Sequence, residues 1–76
     1  MAQFLVTIDD GTVDATGIAS ADDVATIKRD AAVAALEIAA DAAAKGAIPQ
    51  RLRCTVENDA AVSVAEFDIN ISVTER

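Results

Sequence analysis

The chain has 76 residues and a formal net charge of −7, with six cations against thirteen anions. Such a balance cannot supply the basic footprint that phosphate binding needs, and it disfavours anionic membrane surfaces, so we expect neither nucleic acid nor membrane as a partner. Hydrophobic residues make up 53% of the chain, but 18 of them are alanine. We therefore expect one domain, residues 1–76, whose thin core is supplemented by association between subunits.

The chain contains no histidine, and Cys54 is its one cysteine. An internal disulfide, a zinc site with four nitrogen or sulfur ligands and a Cys-His nucleophile pair all lack the residues they require. We expect Cys54 to act as a small buried hydrophobe. With no catalytic, cofactor or metal motif and no visible secretory leader, we expect a cytoplasmic, non-enzymatic protein without a cofactor.

The N-terminal part predicts a hairpin. Gln3–Asp9 alternates apolar and polar residues, which indicates a strand with one buried face. Residues 9–11 form a turn signal that ends in glycine, and residues 12–15 could return as a short second strand. Asp14–Gly17 then reads as a second turn, after which we expect Ile18 to close one end of the core.

An alanine-rich helix is predicted over Ala21–Lys45. Ser20 and Asp23 resemble a capping box at its start. At its end, Gly46 suits the left-handed position after the last turn, and Pro49 lies just beyond. Both ends of the helix are therefore specified by local sequence.

The C-terminal part predicts a second hairpin. Gln50–Asn58 alternates cleanly, with Leu52, Cys54 and Val56 on one face. A last strand over Val62–Thr74 changes parity, which predicts a bulge near Ala65 and Glu66. The predicted fold class is α+β: an antiparallel β-sheet of three to four strands with one long α-helix packed across one face, in ββαββ order.

At about 100° per residue the helix has three sides. The side expected to face the sheet holds Val24, Ile27, Ala31, Ala34, Ala35, Ile38 and Ala42. The third side, next to an acidic one, is a heptad seam of mostly small residues that includes Leu36. The sheet-facing side accounts for neither Leu36 nor Val33. The candidate self-association residues are Ala25, Arg29, Ala32, Val33, Leu36, Ala39 and Ala43. A helix of about 25 residues is about 37 Å long and should overhang a four-stranded sheet about 20 Å wide, which favours a homodimer. Alternatively, alanine merely fills solvent-facing positions as the best helix former.

The acidic side of the helix holds Asp23, Asp30, Glu37 and Asp41. Carboxylates suit calcium or magnesium, but most of these lie seven residues apart, about 10 Å along the axis, so we expect a solvated face rather than a metal site. The same acidity allows an alternative function, a decoy that imitates nucleic acid and occupies a basic protein surface. Arg29, Arg51 and Arg53 could form a local anion site, although solvated positions are the simpler interpretation.

Several segments together resemble a widespread group of short bacterial proteins of unknown function. They are residues 4–11 (FLVTIDDG), 14–17 (DATG) and 36–41 (LEIAAD), Gly46 with Pro49, and the strand Leu52–Glu57. The resemblance implies a hairpin, one long helix and a second hairpin, and it carries over no site residues. The chain is also similar in outline to dodecin-like flavin-binding shells, but it has no tryptophan or tyrosine to stack a flavin.

Overall fold

A computed structural model describes residues 2–11 and 14–75. The elements in chain order are β1 (Ala2–Asp9), β2 (Asp14–Ala21), α1 (Val24–Ala44), β3 (Arg51–Asn58) and β4 (Ser63–Asn70). The strands of the described residues form one antiparallel sheet in the order β2-β1-β3-β4. The α+β prediction with ββαββ order is confirmed. We call the face of the sheet opposite α1 the open face.

The second strand is longer than predicted. β2 pairs with β1 without interruption from Ala2 opposite Ala21 to Asp9 opposite Asp14. The predicted turn over residues 14–17 is therefore wrong, and of the predicted strand 12–15 the first two residues lie outside the described ones. Ile18 is 74% exposed and pairs with Leu5 on the open face, so it does not close the core.

The helix begins three residues later than predicted, because β2 continues to Ala21, which is buried in the core. Asp23 rather than Ser20 is the N-cap: its Oδ1 accepts a hydrogen bond from the Thr26 backbone N–H at 2.7 Å. Hydrogen bonding by the Thr26 side chain and by its backbone N–H lowers the pKa of the Asp23 carboxyl, because both favour the ionised form. The predicted Ser20 capping box is wrong.

The helix end follows the prediction. Gly46 has φ +88°, its N–H donates to the Ala43 carbonyl at 3.0 Å, and the Ala47 N–H donates to the Ala42 carbonyl at 2.9 Å. These two bonds are those of a Schellman motif, which glycine enters without a Cβ penalty.

The core lies between α1 and the sheet as two clusters in series. Near the helix start, Ile27 and Ala31 pack with Phe4 and Val56. Farther along, the second cluster joins Ile8, Ala35, Ala39, Leu52 and Cys54. The order along α1 and β1 is the same, so the helix runs along the strands and not across the width of the sheet. The predicted overhang across the width of the sheet therefore does not occur; along the strands the helix of 21 residues is about 31 Å long, against about 26 Å for a strand of eight residues, so any overhang is small.

The C-terminal hairpin confirms the predicted pattern. Leu52, Cys54 and Val56 are fully buried. The bulge is in β4, where Ala65 pairs with Val56 and Ser63 with Glu57, one to two residues before the predicted place. β4 ends at Asn70, short of the predicted Thr74. In the β3–β4 turn, Asn58 Oδ1 accepts from the Ala60 and Val62 N–H groups, and Ala61 has φ +60°.

Candidate functional site

The buried side of α1 is a row of residues four apart: Ile27, Ala31, Ala35 and Ala39. Ala39 is 8% exposed and packs in the second core cluster, so its predicted place on the self-association seam is corrected. Val24, expected to face the sheet, is 38% exposed and belongs to neither core cluster. A row of residues four apart drifts around the helix axis, whereas the predicted sides follow a seven-residue repeat. The prediction therefore placed Ala39 and Val24 on the wrong sides of the helix.

The remaining seam residues lie on the outer side of α1. Ala25, Arg29, Val33, Leu36 and Ala43 are exposed and Ala32 is half-buried. Val33 and Leu36 are 50% and 53% exposed, and they are three residues apart, so they are neighbours on the helix surface. We call Val33, Leu36 and the small residues beside them, Ala25, Ala32 and Ala43, the outer helix face.

The acidic side of α1 has three different roles. Asp23 caps the helix, Asp41 Oδ2 pairs with Lys45 Nζ at 3.0 Å, and Asp30 lies 3.8 Å from the Arg29 guanidinium. No described cation lies within 4.0 Å of Glu37. Among residues 2–11 and 14–75 no three cysteine or acidic side chains converge as a metal site would require.

Arg53 contacts two acidic side chains, Glu66 and Asp68, on the open face. Its Nε donates to Asp68 Oδ1 at 3.2 Å and lies 4.0 Å from Glu66 Oε1, and the hydrogen bond to Asp68 raises the pKa of the guanidinium. Arg29 lies on α1, on the other side of the sheet. The three arginines therefore do not form the anion site that the sequence allowed.

A groove of about 310 Å³ runs between α1 and the edge strand β2. Its helix wall is formed by Ile27, Ala31 and Ala34, with the Asp30 carboxylate at the margin. The floor comes from Ala15, Gly17 and Ala19 on the helix-facing side of β2, where Ala21 follows in the core. Because these side chains are small, the space under this side of the helix is not filled by the chain itself.

Gly17 shows how open the groove is. It pairs with Val6, whose side chain lies on the helix-facing side of the sheet, and a Cβ placed on Gly17 would meet no atom within 4 Å. The sequence does not predict this groove, because the pattern of residues 14–17 predicts a turn at Gly17 and not a strand. Its signal was the alternation of small residues at positions 15, 17, 19 and 21.

Cys54 is fully buried between β1 and β4, as expected for a small hydrophobe. Burial, aided by the Asp68 charge, raises the pKa of its thiol. A protonated, inaccessible thiol is a poor nucleophile.

Within the described residues, no helix is both long and apolar enough to cross a membrane. Neither the curated proteins nor the solved structures contain a match to the chain. The model of one protein family does match, over residues 3–70, and that family is described as a domain of unknown function (DUF6894). The resemblance to an uncharacterised group with ββαββ order is thereby confirmed, and the chain belongs to the DUF6894 family.

Proposed function

We propose that the protein is a small, acidic, cytoplasmic interaction module of bacterial origin, without enzymatic activity, which associates with a second copy through the outer helix face. The observation that carries this proposal is the pair Val33 and Leu36, two large apolar side chains left about half exposed side by side on α1. Burying a fully exposed side chain of this kind contributes about 1.5–3 kcal/mol, so covering the exposed half of each contributes roughly half as much.

The residues around the pair favour close packing of two helices. Ala32 is next to Leu36 on the helix surface, and Ala25 and Ala43 continue the same side about two turns away in either direction; these small side chains allow helix axes to approach within about 8 Å. Asp30 and Glu37 are three and four residues from Val33 and border the pair on that side, whereas Leu36 lies about 100° or more around the helix from both, so a contact centred on Leu36 keeps most of the like charges apart.

The test is the mass in solution over a dilution series for wild type, Leu36→Glu and Val62→Glu. Val62 is a matched control, because it is 55% exposed but lies in the β3–β4 turn. Self-association through the outer helix face requires that Leu36→Glu lowers the mass and that Val62→Glu does not.

A second candidate function is the acidic decoy that occupies a basic protein surface. It is supported by Asp30, which lines the groove beside β2, by Glu37 and Asp41, which helical spacing places on the same side of α1, and by the net charge of −7. This function predicts salt-sensitive binding to basic polypeptides such as poly-lysine, because exposed charge pairs are screened within about 10 Å at 0.1 M salt. Binding that does not respond to salt would contradict it.

A further inference from the structure

We propose that the groove between α1 and β2 binds a basic, extended segment of another protein, which joins the sheet as a strand beside β2. The proposal deepens the acidic-surface function, since it names the form of the basic partner and the place where it binds. It does not depend on self-association through the outer helix face.

The backbone of β2 is suited to accept a strand. Among the strands of residues 2–11 and 14–75, β2 is at the sheet edge and pairs with β1 alone, so alternate N–H and C=O groups point away from the sheet. Its eight residues contain no proline, no lysine and no bulge, which are common devices that block edge pairing. The opposite edge strand, β4, carries a bulge near Val64.

The groove specifies what the added strand presents toward α1. Alternate side chains of a strand beside β2 point to the helix side of the sheet and enter the space above Gly17. That space is walled by Ile27, Ala31 and Ala34, so it fits apolar side chains of moderate size.

The carboxylates beside the groove specify the residues at the ends of the bound segment. Asp30 lies at the groove margin, and Glu37, seven residues on, lies on the same side of the helix. Glu37 has no described cation within 4.0 Å, and the Asp30 contact with Arg29 is long and exposed. Lysine or arginine side chains at the ends of the segment complement these carboxylates.

The same charges disfavour a second copy in this groove. Two β2 strands paired around a two-fold axis normal to the sheet would place both helices on the same face, with their acidic sides toward one another. Like charges facing each other across an interface oppose association.

The experiment is a titration of ¹⁵N-labelled protein with the blocked peptide Thr-Lys-Thr-Val-Thr-Val-Thr-Lys-Thr, followed by amide chemical shifts. We expect the largest shifts in residues 14–21 and 27–38, and an affinity that falls several-fold between about 50 and about 300 mM salt. Replacing both lysines of the peptide by glutamate should weaken binding at least about tenfold.

Protein variants separate the groove from general attraction to acidic surfaces. Gly17→Val fills the groove floor and should weaken peptide binding at least about tenfold, whereas Thr55→Val, on the open face of the central strand β3, should leave it unchanged. Glu37→Gln should weaken it about threefold, and Asp59→Asn, an equal charge change in the β3–β4 turn, should not.

The proposal is overturned if the wild type does not bind the peptide, if Gly17→Val binds it as the wild type does, or if the shifts map to the open face. It is also overturned if β2 instead forms a dimer, seen as a mass that Gly17→Val lowers. Salt-sensitive binding of poly-lysine that Gly17→Val does not change would leave the acidic-surface function standing and remove the groove from it.

Discussion

Gly17 lies directly opposite Val6 in the β1–β2 ladder, and no atom comes within 4 Å of the point where its side chain would begin. The helix-facing side of β2 thus leaves space beside the core that the described side chains do not fill. The first prediction follows from this vacancy.

Gly17→Val should raise the free energy of unfolding by about 0.5–1 kcal/mol. Valine favours extended backbone, whereas glycine has more conformational freedom to lose on folding. Chemical denaturation of the two proteins measures the difference. Gly46→Val is the contrasting variant, because φ +88° is a region that valine avoids, and it should destabilise by about 1 kcal/mol or more. Loss of stability in Gly17→Val would mean that the groove is already occupied by side chains.

Ala61→Gly should raise the free energy of unfolding by up to about 1 kcal/mol. Ala61 has φ +60°, which a Cβ makes unfavourable and glycine adopts freely. Ala60→Gly, at the preceding position of the same turn, has no positive φ to relieve and should not stabilise. Equal effects of the two variants in thermal denaturation would contradict the turn geometry.

Asp23→Ala should lower the melting temperature of the helix and sheet together, because the Thr26 N–H loses its acceptor. Asp23→Asn retains an acceptor and should recover most of the loss, and Ser20→Ala should have almost no effect. The pKa of Asp23 is lowered in the folded state, so its contribution is present above the ordinary value of 3.8 and is lost as the pH falls below it. The difference between wild type and Asp23→Ala should therefore shrink in acid. A larger loss of stability in Ser20→Ala than in Asp23→Ala would show that Ser20 caps the helix and would contradict the assignment of Asp23.

Cys54 should react with iodoacetamide on the order of a hundredfold more slowly in the folded protein than in urea, since reaction requires the thiolate and access. Burial raises the thiol pKa, so above the ordinary value of 9.0 the unfolded chain releases a proton that the folded chain keeps. Stability should therefore decline as the pH rises past that value, and Cys54→Ala should remove this decline. Rapid alkylation of the folded protein would contradict the buried position.

The helix and the C-terminal hairpin were predictable because their patterns are dense and their ends are marked. Gly46 and Pro49 defined the helix end, and Leu52, Cys54 and Val56 alternate without exception. The first hairpin was predicted only in part. The helix-facing side of β2 carries alanine and glycine where most strands carry large apolar residues. The sequence therefore lacks the usual alternation of large apolar and polar residues, and it predicts a turn at Gly17.

Of the two candidate surfaces, the outer helix face was predicted in part and the groove was not. Val33 and Leu36 were assigned to the outer side of the helix, where they are found, but Ala39 was misplaced because the helix runs along the strands and buries its row at spacing four. The groove could not be predicted without β2, since its floor belongs to a strand that the residue pattern concealed.

The mass in solution tests the central claim, self-association through the outer helix face, most directly. Sedimentation equilibrium over a wide dilution series should show the wild type and Val62→Glu rising from 7.8 kDa toward twice that mass with concentration, while Leu36→Glu remains at 7.8 kDa. A wild type that stays at 7.8 kDa throughout, with a melting temperature that Leu36→Glu does not change, would contradict the claim.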